Sequence, residues 1–196
     1  RIEDAGFVFE DDFIFRADVH DAGPKTILGK RYPAGRGIED GVEVLDQLAA
    51  HPSTARHVAA KLAVRFVSDQ PPPALIDRLA DSFSASGGDL RQVMRALAES
   101  PEFWAPEARG AKIKSPFELT VSALRALDAE IEHPRATVEW VQRMGQPLYA
   151  YQAPTGYPDR ANAWVNTGSL LNRMNFGLQL ATGRVAWSRP GLARST

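Results

Sequence analysis

From Ile38 onward the apolar residues recur three and four apart, the period of a helix with one buried face; before it stand short alternating or branched runs, the period of strands. The segment GFVFEDDFIFRADV, residues 6–19, holds two such runs about an acidic centre and predicts a β-hairpin, to which KTILG at 25–29 adds a third strand. Val42, Leu45, Leu48 and Ala49 predict a helix over 38–50. Pro52 suits the first turn of a second helix, where Val58, Leu62, Phe66 and the intervening alanines mark the buried face; the prolines at 71–73 close it. A third helix over 74–85 carries Leu75, Ile76, Leu79 and Phe83, and a fourth over 90–99 buries Leu90, Val93, Met94 and Leu97.

Boundary residues sharpen this pattern. SGGD after the third helix supplies a glycine stop and an Asp89 cap for the fourth. SPEFW reads as a short turn with large apolar side chains. Ser115, Pro116 and Glu118 form a capping box, the best-marked helix start in the chain. Another helix over 134–144 stops at Gly145, and after the aromatic, proline-bearing loop GQPLYAYQAPTGYPDRANAW a last helix is expected near 164–182. No repeat, low-complexity tract or dividing linker interrupts the sequence. The expected fold is mainly α: an irregular helical domain over 37–196, with a small N-terminal β-hairpin or three-strand element and a Gly-rich loop over 1–36 packed on it as one structural unit.

Composition narrows the classes. At 196 residues one core can bury roughly 70% of the surface that the unfolded chain exposes. The 44% hydrophobic and 24% charged fractions are those of a globular protein, and no apolar run reaches the length of a membrane-spanning helix. With 23 basic against 24 acidic residues the net charge is −1, which disfavours a nucleic-acid module. The absence of cysteine removes disulfides, thiolate nucleophiles and Cys-ligated metal centres, but fixes no compartment. The first residue is Arg1 rather than Met, so the chain reads as a processed or excised portion of something longer.

Several residues carry candidate chemistry. His20 and Asp21 lie between the strand-like run and the Gly-rich loop; imidazole titrates near neutrality and a carboxylate can orient it, so the pair is either a general base with its orienter or a loop-fixing element. The spacing of His20, His51 and His57 supplies no HExxH-like element, and no metal site is expected. GPKTILGK lacks the phosphate-loop spacing, and its proline removes an amide that such a cradle would use. Lys61 and Arg65, four apart with Arg56 nearby, share a helix face that is either solvated or an anion clamp beside His20. No GxSxG elbow occurs, and the adjacent carboxylates Asp11 and Asp12, or Glu39 and Asp40, suit turns and caps better than a glycosidase pair.

The loop YAYQAPTGYPDRANAWVN is the richest stretch. Tyr151, Tyr157 and Trp164, with Tyr149, offer rigid aromatic faces; Asp159, Asn162 and Asn166 offer oriented hydrogen bonding, a mixture suited to a sugar, a peptide or a protein hot spot. The same aromatics would equally serve to plug the helix bundle. Arg173, on an otherwise apolar last helix, is expected as a buried partner for Asp21 or Asp159.

The succession HDAGPKTILGK, HPSTARHVAAKLAVRFVSDQPPP, SGGDLRQVMRALAESPEFW, KIKSPFELTVSALRAL and GQPLYAYQAPTGYPDRANAWVNTGSLLNRMNF resembles the C-terminal part of the bacterial DUF1800 family, from about Phe13 to Gly183. The resemblance implies export, hence a periplasmic or extracellular location, and a protein partner similar to the sulfatase-like DUF1501 family. It transfers no reaction and no cofactor. Where relatives commonly read Gly-Trp-Pro-Gly, this chain has Gly156, Tyr157, Pro158 and Asp159, which adds a hydroxyl and a charge. The leading expectation is therefore an exported binding protein that takes a partner protein or an envelope glycan on residues Tyr151, Tyr157, Asp159, Trp164 and Asn166. The competing one is a hydrolase-like enzyme with His20 as general base or metal ligand, Asp21 as orienter and Lys61 or Arg173 as anion clamp.

Overall fold

A computed structural model of the chain describes residues 2–4, 7–10, 13–131, 133–183 and 188–189. Contacts divide the chain into two compact units, one of residues 1–59 and 77–95, the other of residues 60–76 and 96–196. The structure is mainly helical, as the apolar periodicity requires.

In the first unit, β1 (Ile2–Asp4), β2 (Phe7–Glu10) and β3 (Phe13–Phe15) form an antiparallel sheet in chain order, with Val8 opposite Phe15 and Phe9 opposite Ile14. This is the expected hairpin, but its third strand comes from Ile2–Asp4 and not from KTILG. Asp11 and Asp12 lie outside the described residues. Lys25–Ile27 (β4) instead pairs with Lys30–Tyr32 (β5) across Leu28 and Gly29, whose φ values of 50° and 79° give the tight turn whose twist suits a two-residue hairpin. The sequence concealed β5 because Lys-Arg-Tyr has no apolar alternation to announce it.

That second hairpin is fastened to α1 (Ile38–Ala49) by charge. Asp40, only 3% exposed, receives Lys25 Nζ at 3.1 Å on Oδ2 and lies 3.0 Å from Arg36 Nε through Oδ1. Lys30 and Arg36 both pair with Glu43, and both cations lie over the ring of Tyr32, 5.5 and 5.7 Å from its centroid. Tyr32 is fully buried, and its hydroxyl donates to Gln47 Oε1 at 2.8 Å. The apolar stripe that announced α1 is by contrast exposed at Val42, Leu45 and Leu48; the residue it buries is Asp40.

Next come α2 (Pro52–Phe66), α3 (Pro73–Ala85) and α4 (Leu90–Ala98). The buried face of α2 is made by Ala55, Ala59 and Ala63, every fourth residue, and continues to Val67; Phe66, expected inside, is exposed. Small side chains let a helix be approached closely, and a phenylalanine one position off that row falls outside it. Leu90 is likewise exposed, whereas Val93 and Leu97 are buried as the spacing requires. After α3, Gly87 and Gly88 take φ of 66° and 89°, and the Gly88 amide returns to Phe83 O at 2.8 Å, a Schellman stop. Asp89 then accepts from Arg91 N at 2.8 Å, the expected cap of α4.

In the second unit α5 (Pro101–Trp104) is a single turn, and α6 (Pro116–Ala126), α7 (Pro134–Arg143) and α8 (Thr167–Ala181) enclose a core of Leu124, Trp140, Met144 and Phe176. Trp140 and Phe176 meet with ring centroids 5.5 Å apart. Gly145, at φ 101°, ends α7 as expected: its amide bonds Gln142 O, and the next amide bonds Val141 O. Gln146 Oε1 then accepts from Phe117 N at 2.8 Å, so the end of α7 satisfies the start of α6. A short pair, β6 (Glu130–Ile131) with β7 (Ser188–Arg189), is antiparallel.

Candidate functional site

Three local constructions in the second unit meet at one cavity. The first is α6. Ser115 Oγ accepts from Glu118 N and Glu118 Oε2 accepts from Ser115 N, closing the capping box. Residues 117, 121 and 125 then recur every four positions and place Phe117, Val121 and Arg125 along one face.

The second is the extended run before α6, which brings in Lys112 and Lys114. Lys112 Nζ bonds Asp69 and the backbone oxygen of Asp159, while Lys114 Nζ donates to Ser122 Oγ at 2.9 Å.

The third is the aromatic loop. Tyr157 donates its hydroxyl to Pro147 O at 2.6 Å, Trp164 Nε1 donates to Pro158 O at 3.1 Å, and Ala161 N donates to Asp69 Oδ2 at 2.6 Å. Tyr151, Tyr157 and Trp164 form a ladder of tilted rings, with successive centroids 4.5 and 5.7 Å apart. Asp159 is held by Arg65, which also pairs with Glu118.

Between these walls lies a cavity of about 580 Å³, lined by Phe117, Val121 and Trp164 among the apolar groups and by Arg65, Lys114 and Arg125 among the cations. That volume is in the range of small-ligand sites. Burial pushes the Glu118 carboxyl up, but the Ser115 groups and the Arg65 charge together outweigh it and hold it below the ordinary value. Asp69 behaves alike: burial raises it, and Lys112 with the Ala161 amide brings it down further than burial lifts it. Both are thus anions at neutral pH, and each already faces a cation.

The expected site residues fall out as follows. Trp164 is 4% exposed and forms cavity wall, Asp159 lines the same cavity, and Tyr157 is half-buried behind them. Tyr151 is 43% exposed and Tyr149 fully so. Asn166 is the N-cap of α8: its Oδ1 accepts from Ser169 N at 2.9 Å, and its own amide donates to Ser169 Oγ. This second capping box starts α8 at Thr167, after Trp164 rather than at it. Arg173 does not pair with Asp159, whose carboxylate belongs to Arg65; its Nη2 donates to Lys114 O at 2.5 Å. Its Nη1 is shielded from solvent without a partner among the described residues, and burial pushes its guanidinium pKa down.

Lys61 is exposed on α2. In the first unit, His20 packs its ring on Phe15 at 5.2 Å, and its Nε2 is shielded and bonded to nothing among the described residues. Asp21 turns Oδ1 to Gly23 N at 2.8 Å, closing an Asx turn, and its backbone oxygen accepts from Lys25 Nζ. No hydrogen bond joins the imidazole to the Asp21 carboxylate among the described residues. Among those residues, too, no three His, Asp or Glu side chains converge on a metal position.

Sequence reasoning passed over Lys114, Val121 and Arg125. The four-residue spacing of Val121 and Arg125 on α6 is the local signal for two of them, whereas Lys114 precedes the helix and has none.

The second unit is thus a helical frame that braces an aromatic loop beside a ligand-sized, cation-rimmed cavity. The chain belongs to the family described as protein of unknown function (DUF1800), whose profile matches residues 3–195. No curated protein and no solved structure matches it. Among the described residues, no helix is long and apolar enough to cross a membrane.

Proposed function

We propose that this chain is the binding module of an exported, envelope-associated bacterial protein, and that it holds a partner protein at the cavity beside the aromatic loop. The observation that carries this reading is the bracing of that loop. Asp159 is tied to Arg65, the loop backbone to Asp69 and Lys112, and Tyr157 to Pro147, so the chain's own contacts hold the cavity wall in place. A preformed wall spares the ordering cost of binding, which is where affinity is commonly lost. In this reading Tyr151 and Asp159 touch the partner, Tyr157 and Trp164 support them, and Asn166 fixes where α8 begins.

An envelope glycan is the second ligand class for the loop, favoured by the open rings of Tyr149 and Tyr151, on which a sugar face can stack. The hydrolase-like reading ranks below both. A general base needs its orienter within hydrogen-bond reach, and the Asp21 carboxylate is turned to the Gly23 amide. Export and a DUF1501-like partner rest on the family resemblance alone.

The experiment is calorimetric titration of the purified chain with a DUF1501-like protein from the same organism, and with envelope glycan fragments, repeated on Val121→Trp. Saturable binding of the protein, lost when the cavity is filled, is the expected result. Binding that Val121→Trp leaves intact would move the interface elsewhere. Fractionation of cells expressing the full-length protein checks its location.

A further inference from the structure

The charges around the cavity do not balance locally. Its carboxylates are all engaged: Glu118 and Asp159 by Arg65, and Asp69, behind the wall, by Lys112. Three cations on the same side have no carboxylate among the described residues. Lys114 Nζ holds only the Ser122 hydroxyl, Arg125 stands exposed one turn beyond Val121, and Arg173 holds only a backbone oxygen, that of Lys114.

The amides at the start of α6 do not cause this excess of positive charge. Glu118 N is taken by Ser115 and Phe117 N by Gln146, so they are closed to a ligand. The floor between the cations is apolar, made by Phe117, Val121 and Trp164.

We infer that the cavity recognises an acidic, apolar peptide segment: a bulky apolar side chain enters between Phe117, Val121 and Trp164, and a neighbouring carboxylate is received by Lys114 and Arg125. This deepens the binding reading above and rests on it. Charge complementarity selects the occupant. A basic or neutral segment would leave both cations unmatched, whereas a carboxylate placed at the rim meets two exposed cations, one of them able to form a two-pronged contact. Arg173 touches no ligand in this arrangement; by gripping Lys114 O it fixes the backbone from which Lys114 projects.

The test uses a display library of random twelve-residue peptides, panned against the whole chain, against Val121→Trp, and against Lys114→Glu/Arg125→Glu. The last variant changes two exposed side chains and keeps the fold even if the cavity-filling one does not; circular dichroism checks both. The wild type is expected to enrich peptides that pair Asp or Glu with Leu, Ile, Phe or Trp. In a synthetic copy of an enriched peptide, Glu→Gln then weakens binding at least tenfold, as does the charge reversal in the protein, and a Glu→Lys peptide recovers binding to the reversed variant. Enriched peptides that bind equally well after Glu→Gln, yet are lost in Val121→Trp, would overturn the acidic preference and leave the binding reading standing. No enrichment over Val121→Trp would overturn both. Protection of the cavity by dodecanoate with no peptide enriched would assign a small amphiphilic carboxylate and likewise overturn the peptide.

Discussion

Arg65 donates through Nη1 to Asp159 Oδ1 at 3.0 Å and through Nη2 to Glu118 Oε1, so one guanidinium at the end of α2 fastens the aromatic loop to α6. Its side chain is 43% exposed, so solvent screens the pairing. Arg65→Ala is expected to lower stability by only about 1 kcal/mol, less at high salt, while loosening the loop. Urea midpoints at two salt concentrations measure the first effect, and amide exchange over residues 157–161 the second. Arg65→Lys recovers little, because a single ammonium cannot serve two carboxylates with the fork of a guanidinium. A loop as protected in Arg65→Ala as in the wild type would remove Arg65 from this role.

The depressed carboxyls of Glu118 and Asp69 give the stability a pH dependence of known sign. Their folded-state pKa values lie below the ordinary 4.5 and 3.8, so the unfolded chain binds protons first as pH falls. Their contribution is complete above about 4.5 and is lost as pH falls through the depressed values. Urea midpoints are therefore expected to decline below that pH, and Asp69→Asn, less stable at neutral pH, should decline less steeply. Equal slopes for the two proteins would contradict the assignment.

Two capping boxes start α6, which walls the cavity, and α8, which follows the aromatic loop. Ser115→Ala and Asn166→Ala should each cost about 1 kcal/mol, since each leaves an amide of the first turn without its acceptor. Chemical denaturation of the single variants checks this, and the double variant should show near additivity because the caps belong to separate helices. A cost near zero for Asn166→Ala would free that side chain for ligand binding.

Only one of those boxes is legible from the sequence. Ser-Pro-x-Glu is a strong local signal because proline, serine and glutamate all favour the same three positions, whereas Asn-x-x-Ser is common in loops and can be read as ligand chemistry. The same division holds through the chain. Helix positions, the Gly87–Gly88 stop and the Gly145 stop follow from local rules and are readable. What is not readable depends on partners distant in sequence: β5 is a strand because β4 lies beside it, and Phe66 is outside because an alanine row makes the contact. The site divides likewise. The aromatic loop is visible as composition, but the engagement of Asp159 by Arg65, and hence the unmatched charge of Lys114 and Arg125, exists only once α2, α6 and the loop are brought together.

His20 offers a direct contest between loop-fixing and catalysis. Its ring packs edge-on against Phe15, and its Nε2 is shielded without a partner among the described residues. His20→Phe keeps the ring and removes the unpaired nitrogen, so it is expected to match the wild type or exceed it by up to about 1 kcal/mol. His20→Ala loses the ring contact and should fall by about 1 kcal/mol. Thermal melts with and without divalent metals measure both. A metal-dependent stabilisation present in the wild type and absent from both variants would make His20 part of a reactive site instead.

Tyr151 and Trp164 stand at opposite ends of one aromatic ladder and should respond oppositely to substitution. Trp164 is buried, gives its indole N–H to Pro158 O and walls the cavity, so Trp164→Ala is expected to cost about 3–5 kcal/mol and to abolish binding as a consequence of lost structure. Tyr151 is two rings away and 43% exposed, so Tyr151→Ala should cost only its ring contact with Tyr157, about 1 kcal/mol. Its larger effect should appear in recognition: at least tenfold weaker binding of the partner, with the fold intact by circular dichroism and only a small drop in the urea midpoint. Tyr151→Phe keeps the ring and should retain most of the affinity if the contact is through its face. Full affinity in Tyr151→Ala would reduce the ladder to a structural brace and confine recognition to the cavity between Phe117, Val121 and Trp164.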